Sequence, residues 1–529
     1  ILQSDVDLLF NGGIGTYVKA SWETNSEVGD KNNIPLRINA SSLRVKVVSE
    51  GGNLGLTQSA RSEYNLNGGL INADFIDNLG GVDCSDKEVN IKILFNDLIN
   101  KGILTLKERN AFMNSLKPEI IKMVVKDNED QNMIISTTLY RISQSYILFT
   151  RYLDEQIEEK LLDQDTLKLP DTKVLAERRA NGLSFTRPEI AILIAHAKKQ
   201  AKSELFDSEI IKLESAKAFL YYAFPESMVE KYADKIDSHY LRDDIIATEI
   251  SNRFIIETGV AFSMQMREEL GVDGKSTIKS YIFARDILDM TSIQQYIDSE
   301  NHLMSLDTAF YLNSRIRSVL REATRWLLLS NKATAIRQES IIDYQQCLRK
   351  LSDKMGMLQQ FNKWSNYQKL QESLSQSQVS EAMMTRLVSF FALTRSLDMV
   401  VDLVDHHYDI DLYADTFCEL DRYLGTHVFM SAVHDYHTKS TWDAYACNSL
   451  LDRMSDIRCG LIRRAMHYLS GNDHNLLSLS KRILANSDLV SKLEQWQVDV
   501  QCVSNQDSFT TDQYKCYLLK FELLTRNLL

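Results

Sequence analysis

The stretch ADFIDNLGGVDCS, residues 73–85, fixes the class of architecture when it is taken together with EGGNL, residues 50–54. Each reads as the end of a β-strand running into a glycine-rich turn, with an asparagine, Asn78 or Asn53, where the backbone bends. In an open α/β sheet, ligands sit at such strand ends. Upstream, Val6–Phe10 is a short apolar strand released by Asn11-Gly12-Gly13, and Leu43–Val48 is a second, released by Glu50-Gly51-Gly52-Asn53. Leu70–Phe75 is a third strand, running into Asp77-Asn78. Thr57 is placed to cap a helix over Gln58–Asn67, which Gly68-Gly69 would stop. Alternating strands and helices predict a parallel sheet covered by helices. Three strands are too few for a whole doubly wound domain, so the sheet is expected to be completed by strands upstream of Ile1 or by another chain.

Glycine and proline divide the chain. Eleven of the 20 glycines precede residue 82, and none of the 5 prolines follows Pro225. A long proline-free tract with 3.6-residue periodicity predicts helices. Asp86–Asn100 carries acids in its first turn, as a helix N-terminus favours, and the polar run Lys126–Asn132 reads as a turn between helices. Thr186-Arg187-Pro188-Glu189 has the spacing of a capping box with proline in the first turn. Ile246, Ile250 and Phe254 form one apolar stripe; Met383, Leu387, Phe390, Thr394, Leu397 and Val401 form another. The expected class is mainly α with an N-terminal α/β part. Its expected divisions are 1–100 for the incomplete sheet, 101–180 for a helical connection with a boundary in Leu162–Gly182, and 181–529 for a large all-α domain.

Composition narrows the function. Seventy-two acidic against 60 basic residues give a net charge of −12, which removes the electrostatic footprint of a nucleic-acid binder or an anionic-membrane binder. The longest apolar run, Ile190–Ala197, falls well short of the ~20 residues that span a bilayer. Seven cysteines, odd in number and without a CxxC pair, predict reduced thiols and a cytoplasmic protein. The chain opens ILQSDVDLLF, without methionine or a basic leader, and is expected to be the C-terminal piece of a longer polypeptide.

Several residues invite a chemical role, and each has a plainer alternative. Asn53 and Asn78 can pair with hydroxyls or an amide, because a carboxamide both donates and accepts, yet asparagine also serves turns for purely backbone reasons. Ser85, expected in the first turn of a helix, could hold an anion there or simply cap the helix. Asn11-Gly12-Gly13-Ile14-Gly15-Thr16 is not a dinucleotide fingerprint, since Val18 stands where GxGxxG needs its third glycine. The cluster Asp402, Asp405, His406, His407, Asp409 and Asp411, followed by His427, His434 and His437, contains neither HExxH nor a zinc-finger spacing. Solvated helix ends account for it, and no metal site is nominated. Cys84 reads as an ordinary buried cysteine.

The run NGGIGTYVKAS, KVVSEGGNLGLTQ and IDNLGGVDCSDKEVN, residues 11–21, 46–58 and 76–90, resembles the glutamate dehydrogenase family, and in particular its large NAD-specific bacterial members. LSFTRPEIAILIAHAKKQAKSEL and LREATRWLL, residues 183–205 and 320–328, carry the resemblance into the helical part. It implies a Rossmann-like nucleotide-binding sheet. It places Asn11 and Gly12 under the nicotinamide, Asn53 and Asn78 beside the nicotinamide ribose and substrate, Val82 on the substrate methylenes, and Ser85 on its side-chain carboxylate. Gly80 and Gly81 would let the backbone approach a ligand. The resemblance gives Asp83 no role.

The implied reaction is oxidative deamination of L-glutamate to 2-oxoglutarate and ammonium with NAD, by a homo-oligomer in the full-length protein. The family's catalytic lysine and aspartate, and its pyrophosphate fingerprint, are expected upstream. Lys19, Lys31, Lys46 and Lys87 lack the glycine-rich setting of that lysine, so no catalytic residue is named and the chain alone is expected to be inactive. Two alternatives stand beside this: a non-catalytic helical module for oligomerisation or effector binding, and a dehydrogenase of another amino acid.

Overall fold

A computed structural model describes residues 1–206, 208–329, 338–356, 372, 374, 379–392, 397–434, 436, 440–471, 476–504, 510–526 and 528. The parallel sheet is short. β1 (Leu8–Asn11) pairs with β4 (Val47–Glu50), from Leu8 opposite Val47 to Asn11 opposite Glu50. β2 (Val18–Lys19) pairs with β3 (Ile38–Asn39), also in parallel. The third expected strand is reduced to a single parallel bridge, with Leu70 N–H donating to Lys46 O at 3.0 Å and Val48 N–H to Leu70 O at 2.9 Å. Beyond it the chain coils into a helical turn, Asp74–Asp77, instead of extending to Phe75. The cause lies in the two aspartates: Asp74 accepts from Leu54 N–H and Asp77 from Glu50 N–H, both at 2.9 Å. An extended strand would carry these carboxylates away from the loop they hold.

Val18, Ala40, Val45, Val48, Leu56, Ala60, Tyr64 and Ile71 make the core beneath this sheet. The Gln58–Leu66 helix covers it. Thr57 caps it by accepting from Ala60 N–H, and Gly68 follows at φ +93°, a left-handed conformation that glycine adopts without strain. Among the described residues β1 has a strand on one side alone, and Leu8 and Phe10 are exposed on it.

The helix expected from Asp86 starts seven residues earlier and runs Leu79–Asn100, so the Gly80-Gly81-Val82 segment is helical rather than a turn. Lys126–Asn132 is likewise no turn. It lies inside a long helix, Leu106–Glu158, that departs from helical geometry at Ser145. Its polar side chains are spent on contacts: Lys126 pairs with Asp130 along the helix, Asp127 with Lys87, and Asn128 Nδ2 donates to Ile76 O at 2.8 Å. A polar run that looks solvated here packs against the Asp74–Asp77 turn and the Leu79–Asn100 helix.

The Arg187–Leu205 helix begins with the expected capping box between Thr186 and Glu189, and buries Ile190, Leu193, Ile194 and Ala197. Ile246, Ile250 and Phe254 are buried on the Arg242–Thr258 helix, as their stripe predicts. Met383, Leu387 and Phe390 are buried on Glu381–Ala392, and Leu397 and Val401 on Leu397–His406, so this stripe is carried by two helices. Thr394 lies outside the described residues.

The chain forms two compact units, Ile1–Ile282 and Phe283–Leu529. The described part of the second is helical, with Trp496 fully buried in it, its ring tilted against Phe521 at 4.7 Å and its indole N–H donating to Tyr517 O. No helix of the described residues is long and apolar enough to cross a membrane.

Candidate functional site

The two strand-end turns meet backbone to backbone. Gly52 N–H donates to Asn11 O at 3.0 Å, and a Cβ on Gly52 would come within 2.2 Å of the Gly13 carbonyl oxygen. Only glycine at 52 lets the turns close to this distance. Asn11 is the last residue of β1 rather than the first of a turn, and its Nδ2 is buried with no hydrogen-bond partner among the described residues. Gly12 is exposed beside it.

A charged cluster that sequence reasoning missed underlies the Gly51–Gly55 loop. Glu50 is completely buried, and its carboxylate accepts from Arg61 Nε at 2.6 Å, Arg61 Nη2 at 3.1 Å and Leu56 N–H at 3.0 Å. Arg61 Nη2 also lies 3.0 Å from Asp74 Oδ2. Burial pushes the Glu50 carboxyl above its ordinary range, against the pull of Arg61. The legible signal was Arg61 itself, a charge set between Ala60 and Tyr64 on the core side of a capped helix.

Above this base the structure brings Asn53 and Asn78 together: Asn78 Nδ2 donates to Asn53 Oδ1 and lies 3.5 Å from Gly52 O. Asn78 flanks the Leu79–Asn100 helix without capping it through its side chain. Counting from Asn78, Gly81, Val82 and Ser85 follow at three, four and seven residues, which places all four on one helical face. Gly81, Val82 and Ser85 are exposed. Ser85 sits in the second turn, so it is not an N-cap; its hydroxyl donates to Val82 O at 2.7 Å. Cys84, expected to be buried, is exposed, because the helix begins early enough to turn it outward.

Asp83 and Lys87 occupy another side of the same helix. Lys87 Nζ lies 3.2 Å from Asp83 Oδ1 and 2.8 Å from Asp127 Oδ2. Burial alone would lower the Lys87 pKa, but Asp127 and Asp83 outweigh it and hold the ammonium group above its ordinary value. Lys87 is thus a structural cation that ties the helix to Leu106–Glu158, and Asp83 gains a role as its partner. Val82, Asp83, Lys87, Glu249 and Arg253 border a cavity of about 440 Å³ on this side. Lys19 and Lys46 are occupied elsewhere, with Asn39 and Asp7.

Of the histidine and aspartate cluster, His427 Nδ1 is 2.7 Å from Asp421 Oδ2, and Asp409 caps a helix through Leu412 N–H. Tyr413 donates to Asp402. His437 lies outside the described residues.

Residues 1–138 match the model of the bacterial NAD-glutamate dehydrogenase catalytic domain, and residues 182–511 match that of the glutamate dehydrogenase C-terminal region. The chain belongs to the NAD-specific glutamate dehydrogenase family. It is similar to the NAD-specific glutamate dehydrogenase of Mycobacterium tuberculosis (strain ATCC 25618 / H37Rv), 32% identical over 452 residues, covering 85% of this chain and 28% of the relative. The Halomonas elongata protein of the same name is 31% identical over 453 residues, with the same coverage of each. That of Pseudomonas aeruginosa is 37% identical over 332 residues, covering 63% of this chain and 20% of the relative. The match therefore spans between a fifth and little more than a quarter of the length of these glutamate dehydrogenases. Asn11, Gly12, Asn53, Asn78, Val82 and Ser85 all fall within the match to the catalytic-domain model.

Proposed function

We propose that this chain forms one wall of the cleft in which a glutamate dehydrogenase oxidatively deaminates L-glutamate to 2-oxoglutarate and ammonium. The observation that carries the proposal is the pairing of Asn53 with Asn78 at the head of a helical face that exposes Gly81, Val82 and Ser85. NAD, when bound, supplies the acceptor for the hydride that leaves the substrate α-carbon. The buried, unpartnered Nδ2 of Asn11 offers a donor to a neutral acceptor such as a carboxamide or ribose oxygen, and Asn53 and Asn78 offer two more amides without adding charge. Ser85 presents a hydroxyl to a substrate carboxylate and Val82 an apolar surface to its methylenes. The chain's share of the work is to hold two carbons in register and to bind carboxylates, which is proximity and electrostatics. Glu50, Arg61 and Asp74 keep the loop carrying Asn53 rigid beneath that contact.

The partners implied are L-glutamate and 2-oxoglutarate, in a homo-oligomeric cytoplasmic enzyme without nucleic-acid or membrane partners. The test is steady-state kinetics of the full-length protein with Asn53→Ala and Ser85→Ala, followed by NADH absorbance. Asn53→Ala should raise the KM for NAD, and Ser85→Ala the KM for glutamate. Kinetics unchanged in both variants would remove this face from the cleft.

A further inference from the structure

Arg187 opens the Arg187–Leu205 helix, yet its guanidinium is spent away from that helix. Nε donates to Asn72 Oδ1 and Nη1 to Ser136 Oγ, both at 2.8 Å, and Nη2 to Asn132 Oδ1 at 3.4 Å. The helix gives no reason for it. A cation in the first turn is disfavoured by the helix dipole, and Thr186 and Glu189 form the capping box between themselves. Its three acceptors are neutral oxygens, which hold a guanidinium less strongly than a carboxylate does. Burial lowers the Arg187 pKa, and Asp77 is the charge that counters it.

Asn72 carries the contact onward to that charge. Its Nδ2 donates to Asp77 Oδ1 at 2.9 Å and to Asn132 Oδ1 at 3.0 Å. The amide cannot turn over. Arg187 only donates and the Asp77 carboxylate only accepts, so Oδ1 must face the first and Nδ2 the second. Asp77 Oδ2 in turn accepts from Glu50 N–H at 2.9 Å. Glu50 precedes the Gly51–Gly55 loop that carries Asn53, and Asp77 precedes Asn78. A continuous polar chain thus runs from Arg187 to the backbone that sets both asparagines. It also crosses between the matched regions: Arg187 falls in the match to the glutamate dehydrogenase C-terminal region, and Asn72 and Asp77 in that to the catalytic domain. The backbone N–H of Arg187 is held from the same side, by Asn65 Oδ1 at 3.0 Å.

We propose that Arg187 is a positioning residue of the dehydrogenase, orienting Asn72 and Asp77 and thereby setting the Glu50–Gly55 segment and Asn78 for the cofactor; this rests on the cleft proposed above for Asn53 and Asn78. The C-terminal region thereby takes part in cofactor binding through one side chain that does not touch the cofactor.

The test uses the full-length protein with Arg187→Met, Asp77→Asn, the two combined, and each single substitution in an Asn53→Ala background. Misplacing the loop should forfeit about one neutral hydrogen bond to the cofactor. Arg187→Met and Asp77→Asn should therefore each raise the KM for NAD about twofold to tenfold, with kcat within about twofold. Because both interrupt one chain, the combined variant should be no worse than the worse single one, and neither should add to Asn53→Ala. A merely structural arginine would lower Tm without this pattern. Hydrogen exchange of the Glu50–Gly55 amides should quicken in both variants, a readout that does not depend on where the cofactor sits. Asp77→Asn keeps the side-chain shape and carries the test if Arg187→Met does not fold. Unchanged exchange in that segment overturns the inference, as do KM losses that multiply in the combined variant. So does a KM for NAD unchanged in both variants while Asn53→Ala raises it. Quickened exchange beside a wild-type KM for NAD in Asn53→Ala refutes the cleft instead, and with it the role of Arg187 in cofactor binding.

Discussion

Arg61 Nε lies 2.6 Å from Glu50 Oε2, and both side chains are almost wholly out of water. Such a pair adds little net stability over an apolar one, but removing one partner strands the other charge. Here the stranded group would be a carboxylate that also holds Leu56 N–H, under the loop that presents Asn53.

Arg61→Met should accordingly cost about 3–5 kcal/mol in urea unfolding at neutral pH. Its pH dependence identifies the cause. With the cation gone, burial is opposed chiefly by the Leu56 N–H alone, and the folded-state pKa of Glu50 rises further above its unfolded value. The folded state then prefers the protonated acid, so the deficit is full above that raised pKa and shrinks as the pH falls through it. A deficit that stays constant across the acid range would show that lost packing, not the stranded charge, is responsible.

Ser85→Ala in the full-length protein should raise the KM for glutamate more than it lowers kcat. A hydrogen bond to a charged group contributes roughly 1.5–3 kcal/mol, about tenfold to a hundredfold. Among the described residues this hydroxyl bonds only to its own helix, at Val82 O, so the substitution should leave Tm within about 1 °C. Unchanged kinetics at unchanged stability would make Ser85 a surface residue.

Gly81→Ala separates the needs of the helix from those of the ligand. A Cβ at Gly81 meets nothing within 4 Å, and the residue is helical, so alanine should stabilise the protein by about 0.5–1 kcal/mol. If backbone approach by the ligand is what glycine provides, the same variant should lose kcat/KM. Higher Tm with lower activity is the expected pair of results. Higher Tm with full activity would show that the position tolerates a side chain.

The class of the fold was legible because its signals are local. Thr57 and Thr186 announce helix starts through their own hydroxyls, and Gly68 announces a stop through the φ it adopts. What could not be read depends on contacts distant in sequence. Asp74 and Asp77 look like the polar end of a strand until their partners, Leu54 N–H and Glu50 N–H, are known, and those partners convert the strand into a helical turn. Lys126–Asn132 looks like a loop until Asp127 is found on Lys87 and Asn128 on Ile76 O. The candidate site residues were nominated through resemblance; spacing alone left Asn53 and Asn78 as turn residues. The Glu50–Arg61 pair beneath them, eleven residues apart, could have been suspected from an arginine set between Ala60 and Tyr64 on the core side of a capped helix.

Asn78 allows the sharpest discrimination between a turn residue and a ligand contact. Its Nδ2 donates to Asn53 Oδ1, and Val82 and Ser85 follow on the same face. Asn78→Asp replaces that donor with a carboxylate. Asn53 can restore the contact by rotating its amide to offer Nδ2, so the local fold should survive with a loss of no more than about 1 kcal/mol. The substrate has no such remedy. A third carboxylate beside the two of glutamate is a like-charge clash. Asn78→Asp should therefore lower kcat/KM for glutamate more than Asn78→Ala does, and the loss should diminish at low pH as the new acid protonates. Were Asn78 serving only the backbone, aspartate would be the benign change, since it keeps local hydrogen bonding that alanine loses. Measuring both variants across pH decides the matter, and near-native activity in Asn78→Asp would end the case for a ligand contact.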